Sequence, residues 1–262
     1  MKKTIFIMFT IIIILSFNII NGYAVDNHIL ITAHRGSSLY YPENTLTSIA
    51  KAIEENADYV EVDVRLTKDN KVVLFHDNTL KRVNGRNQSI EDMTLEEVKK
   101  VDNGSYKNKK YDYENIPTLE EVFENFKGKI KFNIELKMNN KKGYELSKEV
   151  SKLIKEYSMS QDVVVSSFNK LTIEKFKKDN KDIKTGYIIS NPIDNIEKLE
   201  CDFISIKYNL LSKELVEKIH ENNKEIHIWT INDEEDIRKI IKLGVENIIT
   251  DDVNLVKYIL LG

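Results

Sequence analysis

The 262-residue chain contains one cysteine, Cys201, which excludes an intramolecular disulfide and a multi-cysteine zinc site. Its place just before an apolar strand reads as that of a small buried hydrophobe rather than a nucleophile. There is no glycine-rich G-x-G-x-x-G loop, which argues against a dinucleotide fold. Nor is there a His-x-His pair, and His28, His220 and His227 share no ligand spacing, so a zinc hydrolase is disfavoured. Lysine and arginine total 39 against 42 acidic residues, a formal charge of -3, and no basic stripe is present that could track a nucleic acid. No nucleic-acid partner is expected.

Long apolar runs are scarce too, apart from Ile5 to Ile20, which follows Lys2 and Lys3 and precedes the small residues Gly22 and Ala24. That layout reads as a signal peptide over residues 1–24, with a mature domain over 25–262 that is secreted or held in the cell envelope. The alternative is an uncleaved anchor, for which the run is short against the roughly 20 residues of a spanning helix. No cysteine follows the run, so a lipoprotein anchor is excluded. Contact with membrane is expected only through this segment or through lipid substrates.

Beyond residue 28, short apolar runs alternate with helical patterns, as in a parallel sheet covered by helices. Strands are expected at 29–33, 59–66, 131–137, 162–168, 184–189, 203–208, 225–231 and 247–250. Eight βα units on a chain of this length predict a closed (β/α)8 TIM barrel rather than an open doubly wound sheet. Apolar stripes at helical spacing, such as Leu146, Val150, Leu153 and Ile154, would cover it. Residues 71–75 are placed to form a hairpin with the second strand. An insertion of about 80–117 then leaves the barrel pattern, with Thr94 and Glu97, then Thr118 and Glu121, spaced as capping boxes. It reads equally as a substrate lid or a surface loop.

Side chains alternate across a strand, so Val60, Val62 and Val64 share one face of the second strand while Glu61, Asp63 and Arg65 share the other. The two carboxylates stand roughly 7 Å apart at Cα; buried together they need a cation, and exposed they form a solvated face. The next barrel strand adds Glu135 on its inward face, and an all-carboxylate set suits one divalent cation, Ca2+ or Mg2+. Lys137 would lie where an anionic substrate approaches. His34 and His76 end strand-like runs at the same rim, as a general acid and base for phosphodiester hydrolysis would. Arg35 offers a planar fork for phosphate oxygens, and Gly36 allows close backbone approach.

His34-Arg35-Gly36, Pro42-Glu43-Asn44-Thr45, Glu61-Val62-Asp63-Val64 and His76-Asp77, in that order, resemble the motifs of the glycerophosphodiester phosphodiesterase family. Ile134-Glu135-Leu136-Lys137, Ser166-Ser167-Phe168, Trp229-Thr230-Ile231-Asn232 and Thr250-Asp251 extend the likeness over nearly all of the chain after the leader. The resemblance implies metal-dependent hydrolysis of small glycerophosphodiesters to glycerol 3-phosphate and an alcohol, with attack by the glycerol 2-hydroxyl. It implies His34 and His76 as acid and base, Glu61, Asp63 and Glu135 as metal ligands, and Arg35 and Lys137 on the phosphate. Glu43 and Asn44 would support substrate binding, and Phe168 and Trp229 would contact glycerol or simply pack the barrel. Related enzymes acting on lysolipids keep the same barrel, and a noncatalytic receptor would have no need of both histidines.

The leader carries its own test. Mass spectrometry of the exported protein should give Val25, or a residue close to it, as the mature N-terminus; an intact Met1 would establish the anchor instead.

Overall fold

A computed structural model describes residues 29–137 and 143–262; the leader and His28 lie outside the described residues. Among the described residues nine strands occur, β1 (Leu30–His34), β2 (Tyr59–Leu66), β3 (Val72–Leu74), β4 (Lys131–Leu136), β5 (Val163–Ser167), β6 (Lys184–Ile189), β7 (Phe203–Lys207), β8 (Glu225–Trp229) and β9 (Asn247–Thr250). Their order is β1-β9-β8-β7-β6-β5-β4-β2, and β1 also pairs with β2, so eight parallel strands close a barrel. The hairpin strand β3 stays outside, antiparallel to β2. This is a (β/α)8 barrel.

The alternation along each strand explains the two layers. On β2 the valines at 60, 62 and 64 face the helical shell, while Glu61, Asp63 and Arg65 point into the barrel, and all six are buried. The shell begins with α1 (Leu46–Glu54), started by a capping box between Thr45 and Ser48. Two four-residue helices, α2 (Lys81–Asn84) and α3 (Leu95–Val98), precede α4 (Leu119–Phe126). Thr94 with Glu97 and Thr118 with Glu121 form the capping boxes that their spacing predicts. Then follow α5 (Gly143–Glu156), α6 (Lys170–Asp179), α7 (Lys213–Glu221), α8 (Glu234–Ile241) and α9 (Val253–Leu261). Helix α5 buries Leu146, Val150, Leu153 and Ile154, the stripe read from the sequence.

One βα unit departs from the regular pattern. Between β6 and β7 a single 3-10 turn, Ile196–Lys198, replaces the expected helix. The segment carries Pro192 and a left-handed Asn195 at φ 56°, both unfavourable to a continuous α-helix. The segment between β3 and α4 has a core of its own, in which Leu80, Ile90, Met93, Val98 and Ile116 pack against Val73 and Phe75 of the hairpin. It is anchored by that apolar contact rather than by extra sheet.

Deep in the barrel, away from the β-strand C-termini, Phe203 stacks on His227 with ring centroids 4.0 Å apart. Gly186 is the register partner of Phe203 on β6, and a Cβ there would meet the Phe203 ring at 1.9 Å. The ring fills the space that a larger residue would need. Gly186→Ala should therefore destabilise the fold by about 1–3 kcal/mol, the usual cost of overpacking a tight core. Urea unfolding checks this, and an unchanged midpoint would show that the ring moves aside without cost.

Candidate active site

Strand register assembles the acidic centre. His34 is paired with Glu61 across β1 and β2, and Asp63 with Glu135 across β2 and β4, so their side chains meet on the inward face. One carboxylate oxygen from each of Glu61, Asp63 and Glu135 lies within 4.8 Å of the others, and all three residues are buried. Two cations answer them. Arg35 Nε is 3.2 Å from Asp63 Oδ2, and Lys137 Nζ is 3.0 Å from Asp63 Oδ1 and 2.7 Å from Glu135 Oε1.

The compensation is uneven. Burial would raise the Asp63 pKa, but Lys137, Arg35 and the Asn44 amide outweigh it and hold the group well below the carboxylate range. Glu61 fares differently: burial, followed by the charges of Asp63 and Glu135, pushes its pKa well above the usual value. Its Oε2 accepts the Arg35 backbone N–H at 3.0 Å, while Oε1 has no hydrogen-bond partner. Glu135 is raised as well, chiefly by burial. Three buried carboxylates with two basic partners and an orphaned oxygen fit a hard divalent cation, because oxygen donors and a charge deficit are what such an ion needs.

The turn after β1 aims the arginine. Arg35 and Gly36 both have positive φ, 57° and 84°, and a Cβ on Gly36 would sit 2.4 Å from Ser48 Oγ. That close packing against α1 leaves Arg35 pointing back toward the barrel. Its Nη1 donates to Glu43 Oε1 at 2.9 Å. Asn44 donates to Asp63 Oδ2 at 2.8 Å and accepts the Asp63 backbone N–H at 3.1 Å. Glu43 and Asn44 thus stand behind the site, supporting Arg35 and Asp63, and line neither of its chambers.

Both histidines are held in the same way. Nδ1 of His34 lies 2.7 Å from Asp251 Oδ1, and Nδ1 of His76 lies 2.6 Å from Asp77 Oδ1, leaving Nε2 of each ring for other work. Asp251 also accepts from Ser38 and Asn232. Burial opposes ionisation, but His34 and these donors hold Asp251 at about 2. Burial lowers the His76 pKa, partly offset by Asp63. Arg65, in turn, donates through Nε and Nη2 to the His76 carbonyl at 3.2 and 2.7 Å.

Two chambers meet here. The inner one, about 100 Å³, is lined by His34, Arg35, Glu61, Ser166 and Trp229 among others. The outer one, about 470 Å³, is lined by Arg65, Asp77, Asn78 and Asn169 among others. His76, Glu135, Lys137 and Phe168 belong to both. Phe168 and Trp229 pack edge to face with centroids 5.6 Å apart, at the open end rather than in the barrel core. Asp77, Asp251 and Asn232 stand within the motifs quoted from the sequence but had no role there, and Arg82 and Tyr106 lie outside those motifs. For the two aspartates, adjacency to His76 and to the end of the last strand was the available signal; Arg82 and Tyr106 had none.

Residues 34–255 match the glycerophosphoryl diester phosphodiesterase family. A glycerophosphodiester phosphodiesterase of Caldanaerobacter subterraneus subsp. tengcongensis is 37% identical over 87% of this chain and 98% of its own. Among solved structures, an Oleispira antarctica phosphodiesterase in complex with the product sn-glycerol-3-phosphate superposes with a TM-score of 0.84 at 30% identity, covering 89% of this chain and 97% of that one. A Thermotoga maritima glycerophosphodiester phosphodiesterase is 32% identical with a TM-score of 0.73, over 90% and 99% of the two chains.

The raised pKa of Glu61 has a signed consequence in metal-free protein. The folded state keeps this proton to higher pH than the unfolded chain does, so its contribution is complete below about 4.5 and is lost as pH rises through the elevated value. Glu61→Gln should then melt higher than the parent at neutral pH, by about 2–4 °C for each ~1 kcal/mol relieved, with the gap closing toward pH 4.5. Calorimetry with and without Ca2+ or Mg2+ checks it. A lower neutral-pH Tm for the Gln variant would contradict the charge argument.

Proposed function

The chain belongs to the glycerophosphoryl diester phosphodiesterase family, and from that premise we propose that it cleaves glycerophosphodiesters by proton exchange through His34 and His76 beside a divalent cation. The observation that carries the reading is the pair of carboxylate-held imidazoles flanking Glu61, Asp63 and Glu135. Those three side chains would hold the cation, Ca2+ or Mg2+. When bound, it would supply positive charge to the phosphoryl oxygens and favour ionisation of a nearby hydroxyl. Arg35 and Lys137 add fixed positive charge on the phosphate, as developing charge requires.

The inner chamber suits the glycerol phosphate end, with Phe168 and Trp229 against the glycerol carbons, and the wider outer chamber suits the departing alcohol. His34 lines the inner chamber alone, whereas His76 stands where the two meet. In this arrangement His34 takes the proton from the glycerol 2-hydroxyl as its oxygen bonds to phosphorus. His76 protonates the alcohol oxygen as the other P–O bond breaks, and the products are a cyclic phosphate and the free alcohol. The roles then reverse: His76 takes a proton from water, and His34 returns one to the 2-oxygen as the ring opens to glycerol 3-phosphate. Holding the attacking hydroxyl on the substrate itself gives it a large effective concentration over bulk water. Export, read from residues 1–24, would place this chemistry at the cell envelope.

Chelation should abolish turnover and Ca2+ or Mg2+ should restore it, while His34→Ala and His76→Ala should each cost on the order of 10² to 10⁴ in rate. With a p-nitrophenyl leaving group, which departs without protonation, the His76→Ala penalty should shrink and the His34→Ala penalty should not. Near-normal turnover of either variant, or full activity after exhaustive metal removal, would falsify the assignment.

A further inference from the structure

Within the inserted segment of about 80–117, one arginine joins two carboxylates that stand behind the site. Arg82, on α2, donates from Nε to Asp77 Oδ2 at 2.6 Å, and its Nη1 and Nη2 form a fork on Glu43 at 2.9 and 2.7 Å. Each carboxylate makes a second contact inward, Asp77 to His76 Nδ1 at 2.6 Å and Glu43 to Arg35 Nη1 at 2.9 Å. Tyr106, from the same segment, accepts the Glu43 backbone N–H at 2.9 Å, and its ring centroid lies 5.9 Å from the Arg82 guanidinium carbon.

We propose that Arg82 is a positioning residue for the reaction, fixing His76 through Asp77 and Arg35 through Glu43 with a single planar group. The inference rests on the preceding reading that His76 and Arg35 act on the substrate. Arg82 lines neither chamber, so its effect is carried by the two carboxylates. Without it, Asp77 loses its partner on Oδ2, and Glu43 keeps Arg35 but loses the fork that orients its carboxylate plane. A lysine cannot stand in, because a point charge cannot make three directed bonds to two carboxylates. The inserted segment thereby becomes part of the catalytic geometry rather than only a cover over it.

Exposed ion pairs add little to stability, so the signature of positioning is a loss of activity out of proportion to any loss of fold. In metal-loaded enzyme, Arg82→Ala should lower kcat/KM about 10–100-fold, the scale of a misplacement near 1 Å, while Tm stays well above the assay temperature. Guanidinium chloride at tens of millimolar should restore part of the loss and sodium chloride none. Arg82→Lys, the variant expected to fold whatever Ala does, should remain impaired. The proposal is overturned if Arg82→Ala stays within about twofold of the parent, if Arg82→Lys restores full turnover, or if sodium chloride rescues as well as guanidinium does. In each of those cases the dependence on His34, His76 and the cation stands on its own experiment.

Discussion

Three carboxylates on adjoining faces of two barrel strands create a charge problem that the rest of the mouth is arranged to answer. Arg35 and Lys137 settle it for Asp63, whose pKa is held down, but Glu61 is left with an oxygen that nothing satisfies. Nearby side chains are therefore arranged by charge before they are arranged by shape. Asn44 spends both ends of its amide on Asp63, and Glu43 restrains the arginine that would otherwise be drawn wholly to the acidic centre. In the function proposed above, a cation held by the carboxylates would leave Lys137 and Arg35 with positive charge to share with an anionic substrate.

Much of this could be read along the chain because strands are periodic. Alternation put Glu61, Asp63 and Arg65 on one face, and Glu135 and Lys137 on another, before any pairing was known; the register then brought Asp63 opposite Glu135. What strand alternation does not give is a contact between distant segments, such as the carboxylate on His34 Nδ1 or the arginine behind Glu43. Asp251 meets His34 across 217 positions of sequence, and Arg82 meets Glu43 across 39. Periodicity orders residues within an element, whereas these contacts depend on barrel closure and on how a short segment with its own small core settles over the rim. The 3-10 turn after β6 escaped for the converse reason, since Pro192 and Asn195 act locally against a global pattern that repeats well elsewhere.

The two ends of the barrel divide stability from chemistry. Toward the N-terminal ends of the strands, the stack of Phe203 on His227 is packed so closely that β6 has room only for Gly186. His227 is buried there with its Nε2 3.7 Å from Glu225 Oε2, and burial lowers its pKa against the pull of that carboxylate. Toward the C-terminal ends, the side chains are charged, hydrogen-bonded and open to two chambers. Histidine thus stands in opposite settings within one interior: as a flat ring stacked in the core, and as a ring at an open chamber whose orientation is held by a carboxylate.

The bond between His34 and Asp251 ties the first strand of the barrel to the residue that follows the last. A ribosome emits His34 more than two hundred residues before it emits the aspartate that orients it. Until β9 slots between β1 and β8, the imidazole lacks its carboxylate and the barrel lacks its final wall. Closing the barrel and fixing the plane of the His34 ring are thus a single event, and a chain in which β9 has not docked has neither.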